Sequence, residues 1–114
     1  MIKFKKNNNS MLTFVTPNGH EVIVGQNARE NDLITFNPEI SRANDLWIHA
    51  DGVAGAHIIL KATVADHDCI RFAKTLALEH SKAGNSKRVI MAYCGDIEKK
   101  KGSKSGEVVV LRRI

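Results

Sequence analysis

Four lysines crowd one short stretch of this chain. Lys99, Lys100, Lys101 and Lys104 lie in the segment Gly95-Asp-Ile-Glu-Lys-Lys-Lys-Gly-Ser-Lys-Ser-Gly106. Ammonium groups at that density, on a segment punctuated by glycine, suit phosphate binding, because an unhindered backbone can turn amide N–H groups toward the same anion. A solvated, mobile loop would have the same composition, so the segment alone leaves the two readings level. It is not a P-loop, since Gly102-Ser-Lys-Ser-Gly106 lacks the Gly-x4-Gly-Lys-Ser/Thr order. ATP or GTP chemistry is therefore not indicated.

The loop belongs to a wider asymmetry. From Lys82 to Ile114, nine Lys or Arg stand against three Asp or Glu, whereas residues 1–81 hold eight basic and nine acidic side chains. The formal charge of +5 thus resides in the C-terminal third. Clustered charge builds a field that draws in a polyanion, while scattered charge only solubilises. Lys82, Lys87 and Arg88 extend the cluster ahead of the loop.

A second constellation is His49, Asp51 and His57. A metal would need a further ligand and an arranged set of supporting hydrogen bonds, and no other residue is clearly committed to either. Local hydrogen bonding, or contact with a ligand phosphate, is the better reading of these histidines. Ser41, Ser81 and Ser86 lack the Gly-x-Ser-x-Gly context of an activated nucleophile. The sequence therefore predicts no catalytic residues, no metal and no cofactor. A metal-dependent hydrolase built on His49, Asp51 and His57 is the weakest of the alternatives. Cys69 and Cys94, far apart and set in apolar-patterned segments, read as buried free thiols. Trp47 reads as a core anchor rather than a ligand-stacking ring. With only six aromatic residues of the Phe, Tyr and Trp types, a broad platform for stacking bases is not expected.

The elements that must position these residues are legible in outline. A chain of 114 residues predicts one domain that buries roughly two thirds of its surface. No apolar run approaches the roughly 18 residues of a membrane span. The N-terminus lacks the apolar stretch of a signal peptide, which predicts a cytoplasmic protein with no membrane partner. Residues 1–10 read as a flexible basic lead-in, with Ile2 and Phe4 as an alternative edge strand, and residues 11–114 as the single domain. Met11–Val15 and His20–Val24 flank Thr16-Pro-Asn-Gly19, a hairpin turn. Asn27 followed by Glu30 forms a capping-box pattern for a short helix to about Leu33. Asp45–Ala50 and His57–Leu60 read as strands, the second covered on both faces because its apolar run is unbroken.

Asp66 caps a predicted long helix over about 67–83, with Ile70, Ala73, Leu76, Ala77 and His80 as its inward stripe and Lys82 in its last turn. Gly84 supplies the stop. Two strands follow, Arg88–Cys94 and Glu107–Arg112, and the β-branched run Val108-Val-Val-Leu111 places the last one centrally. The fold class is α+β: a curled, mostly antiparallel sheet of five or six strands with one long helix and one short helix.

Taken together, five ordered blocks resemble a known family. They are Gly25-Gln-Asn-Ala-Arg-Glu-Asn-Asp-Leu-Ile-Thr-Phe36, Asn44-Asp-Leu-Trp-Ile-His-Ala50, Gly55-Ala-His-Ile-Ile59, Ser81-Lys-Ala-Gly-Asn-Ser86 and Lys99-Lys-Lys-Gly-Ser-Lys-Ser-Gly106. The set resembles the NFACT-R domain, the RNA-binding module near the C-terminus of RqcH-, NEMF- and FbpA-type proteins. The resemblance implies a non-catalytic protein whose partner is RNA, either tRNA or rRNA, in ribosome-associated quality control, with the ribosome or its large subunit as a further partner. A related branch linked to DNA binding leaves DNA open as a ligand. The chain looks like this module alone, which implies that it does not extend peptides unaided.

Lys99, Lys100, Lys101 and Lys104 are expected to grip phosphates, supported by Lys82, Lys87 and Arg88. Arg29, His49 and His57 are second-rank candidates for direct contact. Ala56 stands where the family has a serine, and Lys100 and Ser105 stand where it often has prolines, which implies a more mobile and more charged loop. Asn31-Asp32 reads mainly as structural hydrogen bonding. The alternative function is a protein-docking module for a ribosomal or quality-control partner, using the sheet face and Trp47.

Overall fold

The computed structural model describes residues 2–5, 11–62, 66–82 and 88–114, with residues 2–5 described as backbone only. The strands Leu12–Val15 (β2) and Glu21–Val24 (β3) pair antiparallel around the expected turn. Thr16 N–H bonds the His20 carbonyl at 2.8 Å, and Gly19 sits at φ +85°, a conformation open to glycine without a Cβ clash. Ile2–Lys5 (β1) pairs with β2, so part of the expected lead-in forms the alternative edge strand.

Leu46–Ala50 (β4), Ile58–Lys61 (β5) and Val89–Tyr93 (β6) complete a six-stranded sheet in the order β1-β2-β3-β5-β4-β6, with every neighbouring pair antiparallel. The helix Ala28–Phe36 (α1) covers one face and His67–Glu79 (α2) the other. Ile58 and Leu60 point toward Cys69, Ala73, Leu76 and Ala77 of α2, while Ile59 and Trp47 point toward Ile34 of α1. That double covering is why the β5 run is continuously apolar rather than alternating. Each Ile or Leu side chain so withdrawn from water contributes on the order of 1.5–3 kcal/mol.

Local signals set the helix starts. The Asn27 side chain accepts the Glu30 N–H at 2.8 Å, and the Glu30 carboxylate accepts the Gln26 N–H at 3.0 Å. The helix continues one turn past Leu33, because Ile34 and Thr35 are buried against the sheet. Asp66 caps α2 through the Cys69 N–H at 2.8 Å. That helix stops at Glu79, a turn before the expected end. Beyond it the His80 carbonyl accepts the Ala56 N–H at 3.0 Å, Ser81 bridges Gly55, and the Lys82 N–H reaches the Ala54 carbonyl at 2.8 Å. Pairing with the β4–β5 connection draws the chain out of the helix, so Lys82 lies past the last turn rather than in it. Gly84 lies outside the described residues.

The last strand is also a correction. Among the described residues, Val109–Val110 (β8) pairs with Ile97–Glu98 (β7) alone, in a two-stranded ribbon separate from the main sheet. Val108 and Val110 still pack, half-buried, on the same cluster as Trp47 and Ile59. A β-branched run reports that a segment is extended and partly covered, but not which strand it pairs with. Cys69 and Cys94 are free and buried. Burial, and then Asp45, pushes the Cys94 thiol up to about 12, so it stays protonated at neutral pH.

Candidate nucleic-acid interface

Asp32 on α1 organises the lysine loop. Its carboxylate lies 3.1 Å from Lys99 Nζ and accepts the Gly106 N–H at 3.0 Å. Lys99 Nζ also donates to the carbonyls of Glu107, at 2.8 Å, and Lys104. Two turns result. Ser103 N–H bonds the Lys100 carbonyl at 3.1 Å, and Glu107 N–H bonds the Lys104 carbonyl at 3.1 Å. Gly102 and Gly106 both adopt φ +83°. At Gly106 a Cβ would also come within 3.1 Å of the Ala28 Cβ, so only glycine lets the loop lie this close to α1. The segment expected to be mobile is thus folded, with Asp32 tying its start at Lys99 to its end at Gly106.

This arrangement divides the lysines. Lys99 is half-buried, and its ammonium is engaged in the loop's own architecture. Lys100, Lys101 and Lys104 are exposed. The Glu107 carboxylate is turned onto the Lys104 N–H at 2.9 Å.

Beneath Gly106 lies a cluster of rings. The β4–β5 register that sets Ile48 opposite Ile58 brings His49 beside His57 one step further along, with ring centroids 5.6 Å apart. His49 stacks on Trp47 at 5.6 Å with the planes 4° apart, and His57 meets the Trp47 ring edge-on at 5.1 Å. Trp47 is the core anchor expected from the sequence, at 2% exposure. Its indole N–H has no hydrogen-bond partner among the described residues, so ring packing holds it.

His57 is also buried, at 2% exposure. Its Nδ1 shares a hydrogen bond with the Thr35 hydroxyl at 2.8 Å, and its N–H reaches Asn31 Oδ1 at 3.0 Å. Burial, reinforced by His49, pushes its pKa down to about 4. A neutral, enclosed imidazole cannot present a charge to phosphate, so His57 is a supporting group rather than a contact. Burial lowers His49 as well, opposed by the carbonyls of Ala50 and Gly55 and by Asp51. Among the described residues no three His, Cys, Asp or Glu side chains gather as a ligand set, and the Nδ1 of His57 is already engaged by Thr35.

Asn31 and Asp32 play the structural role read from the sequence. Asn31 also donates to the Gly55 carbonyl at 3.3 Å. A Cβ at Gly25 would fall 1.9 Å from Asn31 Oδ1, which explains the glycine there.

Two open grooves flank the loop. One, of about 840 Å3, is lined by Gly25–Ala28, His49, Val53–Ala56, Lys82 and Ser105–Glu107. The other contains Arg29, Asp32, Leu33, Phe36 and Lys99. Lys82 and Arg29, expected from the sequence, therefore border grooves on either side of the loop. Arg88 is exposed and precedes β6, where its carbonyl accepts the Asp51 N–H at 2.9 Å. Lys87 lies outside the described residues. Sequence reasoning did not anticipate Val53, Ala54 or Asn27 at the site, because small apolar and capping residues carry no charge signal.

Comparison with known proteins bears directly on this surface. The family described as NFACT protein RNA binding domain matches residues 10–111. The Rqc2 homolog RqcH of Bacillus subtilis (strain 168) is 30% identical over 108 residues, a match spanning 93% of this chain and 19% of that protein. The solved C-terminal region of the fibronectin/fibrinogen-binding protein from Streptococcus suis superposes with a TM-score of 0.84 at 25% identity, covering 96% of this chain and 45% of that one. The chain thus spans about a fifth of the curated relative and under half of the solved one.

Proposed function

Because the chain belongs to the NFACT RNA-binding domain family, we propose that it is a non-catalytic RNA-binding module whose lysine loop grips the sugar–phosphate backbone. The observation that carries this reading is the division among the lysines. Asp32 and Lys99 fix the loop, and Lys100, Lys101 and Lys104 are left exposed upon it. No ion pair of these three is found among the described residues, so their charge remains available to a polyanion. Lys82 and Arg29 widen the positive field through the grooves beside the loop, and the exposed Arg88 adds to it. His49, which lines the groove beside the loop, would be the imidazole that touches the ligand.

Phosphate contacts fix position and carry no sequence information. The ligand is therefore chosen by context, and the RNA of ribosome-associated quality control, tRNA or rRNA on the large subunit, is the partner that the family membership favours. The family's description speaks of RNA, which favours RNA over DNA. Charge reversal tests the reading. Replacing Lys100 and Lys101 by Glu should weaken binding to unrelated RNA sequences by similar factors, on the order of ten-fold or more, in a filter or anisotropy assay. Unchanged affinity would remove the loop from the interface, and loss for one sequence alone would mean that the loop reads bases.

A further inference from the structure

The groove of about 840 Å3 beside the loop has walls that a phosphate grip does not use. Its volume falls within the range of about 300–1,000 Å3 typical of sites that enclose a small molecule. Val53 and Ala54 supply apolar lining, and Lys82 stands on the rim, held there by its own N–H on the Ala54 carbonyl. His49 is the one aromatic ring besides His80 that lines it. The His80 ring is otherwise engaged, meeting Phe14 edge-on with centroids 6.4 Å apart. Trp47 stacks near-parallel on the His49 imidazole and His57 meets it in a T-shaped contact, and His49 lines the groove, so a ligand base would stack on the face away from Trp47. A half-buried imidazole backed by an indole is a rigid platform. Burial also favours its neutral form, which stacks without a charge to desolvate.

We propose that this groove is a subsite for one unpaired nucleotide, whose base stacks on His49 while its phosphate meets Lys82. The subsite rests on the RNA-binding reading and sharpens it: the ligand is single-stranded or splayed RNA, because a paired base cannot leave its stack to enter a groove. A base on an aromatic ring contributes about 1–3 kcal/mol, and the module gains it only where a base is free.

Trp47 is the only tryptophan, so its emission reports on its neighbour His49. The full chain is titrated with a short single-stranded oligoadenylate, with an abasic strand carrying the same number of phosphates, and with duplex RNA of the same length. The intact strand is expected to bind about ten-fold tighter than the abasic one and to change Trp47 emission, while the abasic strand leaves emission unaltered. His49→Ala should bring the intact strand down to the abasic level, and His49→Phe, which keeps a ring, should recover most of the difference. The comparison of intact and abasic strands on the unmodified protein stands even if either variant fails to fold. Equal binding of the two strands, or tighter binding of the duplex, overturns the subsite; a steep salt dependence in that case leaves the phosphate grip in place. Failure of every strand to bind overturns both.

Discussion

Around Ile58–Leu60 every side chain is inside and apolar contacts on both faces fix the backbone, whereas around Lys99–Gly106 most side chains meet water and one carboxylate, that of Asp32, holds the chain. Gly106 hangs the loop beside α1 and over the rings of Trp47, His49 and His57. The difference teaches where this molecule can carry function. A segment that contributes little to the core can display unpaired charge at small cost, provided that something rigid beneath it sets its position. Changes in the first region should therefore appear as stability, and changes in the second as binding.

The largest expected effect is in the sheet centre. Ile58→Ala should cost about 2–5 kcal/mol in urea unfolding, because the cavity lies between β4, β3 and α2 and cannot collapse. A loss below about 1 kcal/mol would mean that the centre is not packed as described. Next comes acid. His57 is held at about 4 in the fold against 6.5 when free, so the unfolded chain takes up its proton first as pH falls. Stability contributed by the neutral ring is complete above pH 6.5 and is lost progressively as pH drops through 4. The loss is on the order of 3 kcal/mol, to be read as the difference in unfolding free energy between pH 7 and pH 4 for the unmodified protein and a His57→Gln variant. Parallel profiles for the two proteins would contradict it.

A smaller effect separates anchor from display. Asp32→Asn keeps an acceptor for the Gly106 N–H but removes the charge facing Lys99. In this partly exposed setting the change should cost about 1 kcal/mol or less. Hydrogen exchange should then speed up at Gly106 and Glu107 and stay slow in β5. Equal acceleration in both places would show that loop and core are one cooperative unit. The smallest effect on folding is that of Lys100→Glu, which should leave stability within about 0.5 kcal/mol while weakening RNA binding. A larger shift would assign the residue to the scaffold.

Much of the first region was legible because its signals are local. The turn at Pro17-Asn18-Gly19, the Asn27–Glu30 cap, the unbroken apolar run of β5 and the stripe on α2 each lie within a few residues of what they determine. The family resemblance, carried by five blocks, is confirmed by a match over residues 10–111. What stayed hidden depends on distant partners. Asp32 and Lys99 are 67 residues apart, and neither announces the other. Val108–Leu111 looks like a central strand because β-branching reports extension and not pairing, and its partner Ile97–Glu98 sat inside what read as a loop. In the sequence Lys99 reads as one of four equivalent lysines, whereas in the fold its ammonium lies between Asp32 and two carbonyls. His57 looked available because a histidine's exposure cannot be read from its neighbours in the chain.

The central claim is that exposed charge on an anchored loop holds a polyanion. It is tested most directly by the affinity for single-stranded RNA measured across a range of salt concentrations. With about four to six phosphates neutralised, log K should fall against log salt with a slope near −3 to −5, and the slope should become shallower by about two when Lys100 and Lys101 are both replaced by Glu. Binding that does not change with salt, or a slope the double replacement leaves untouched, would contradict the account.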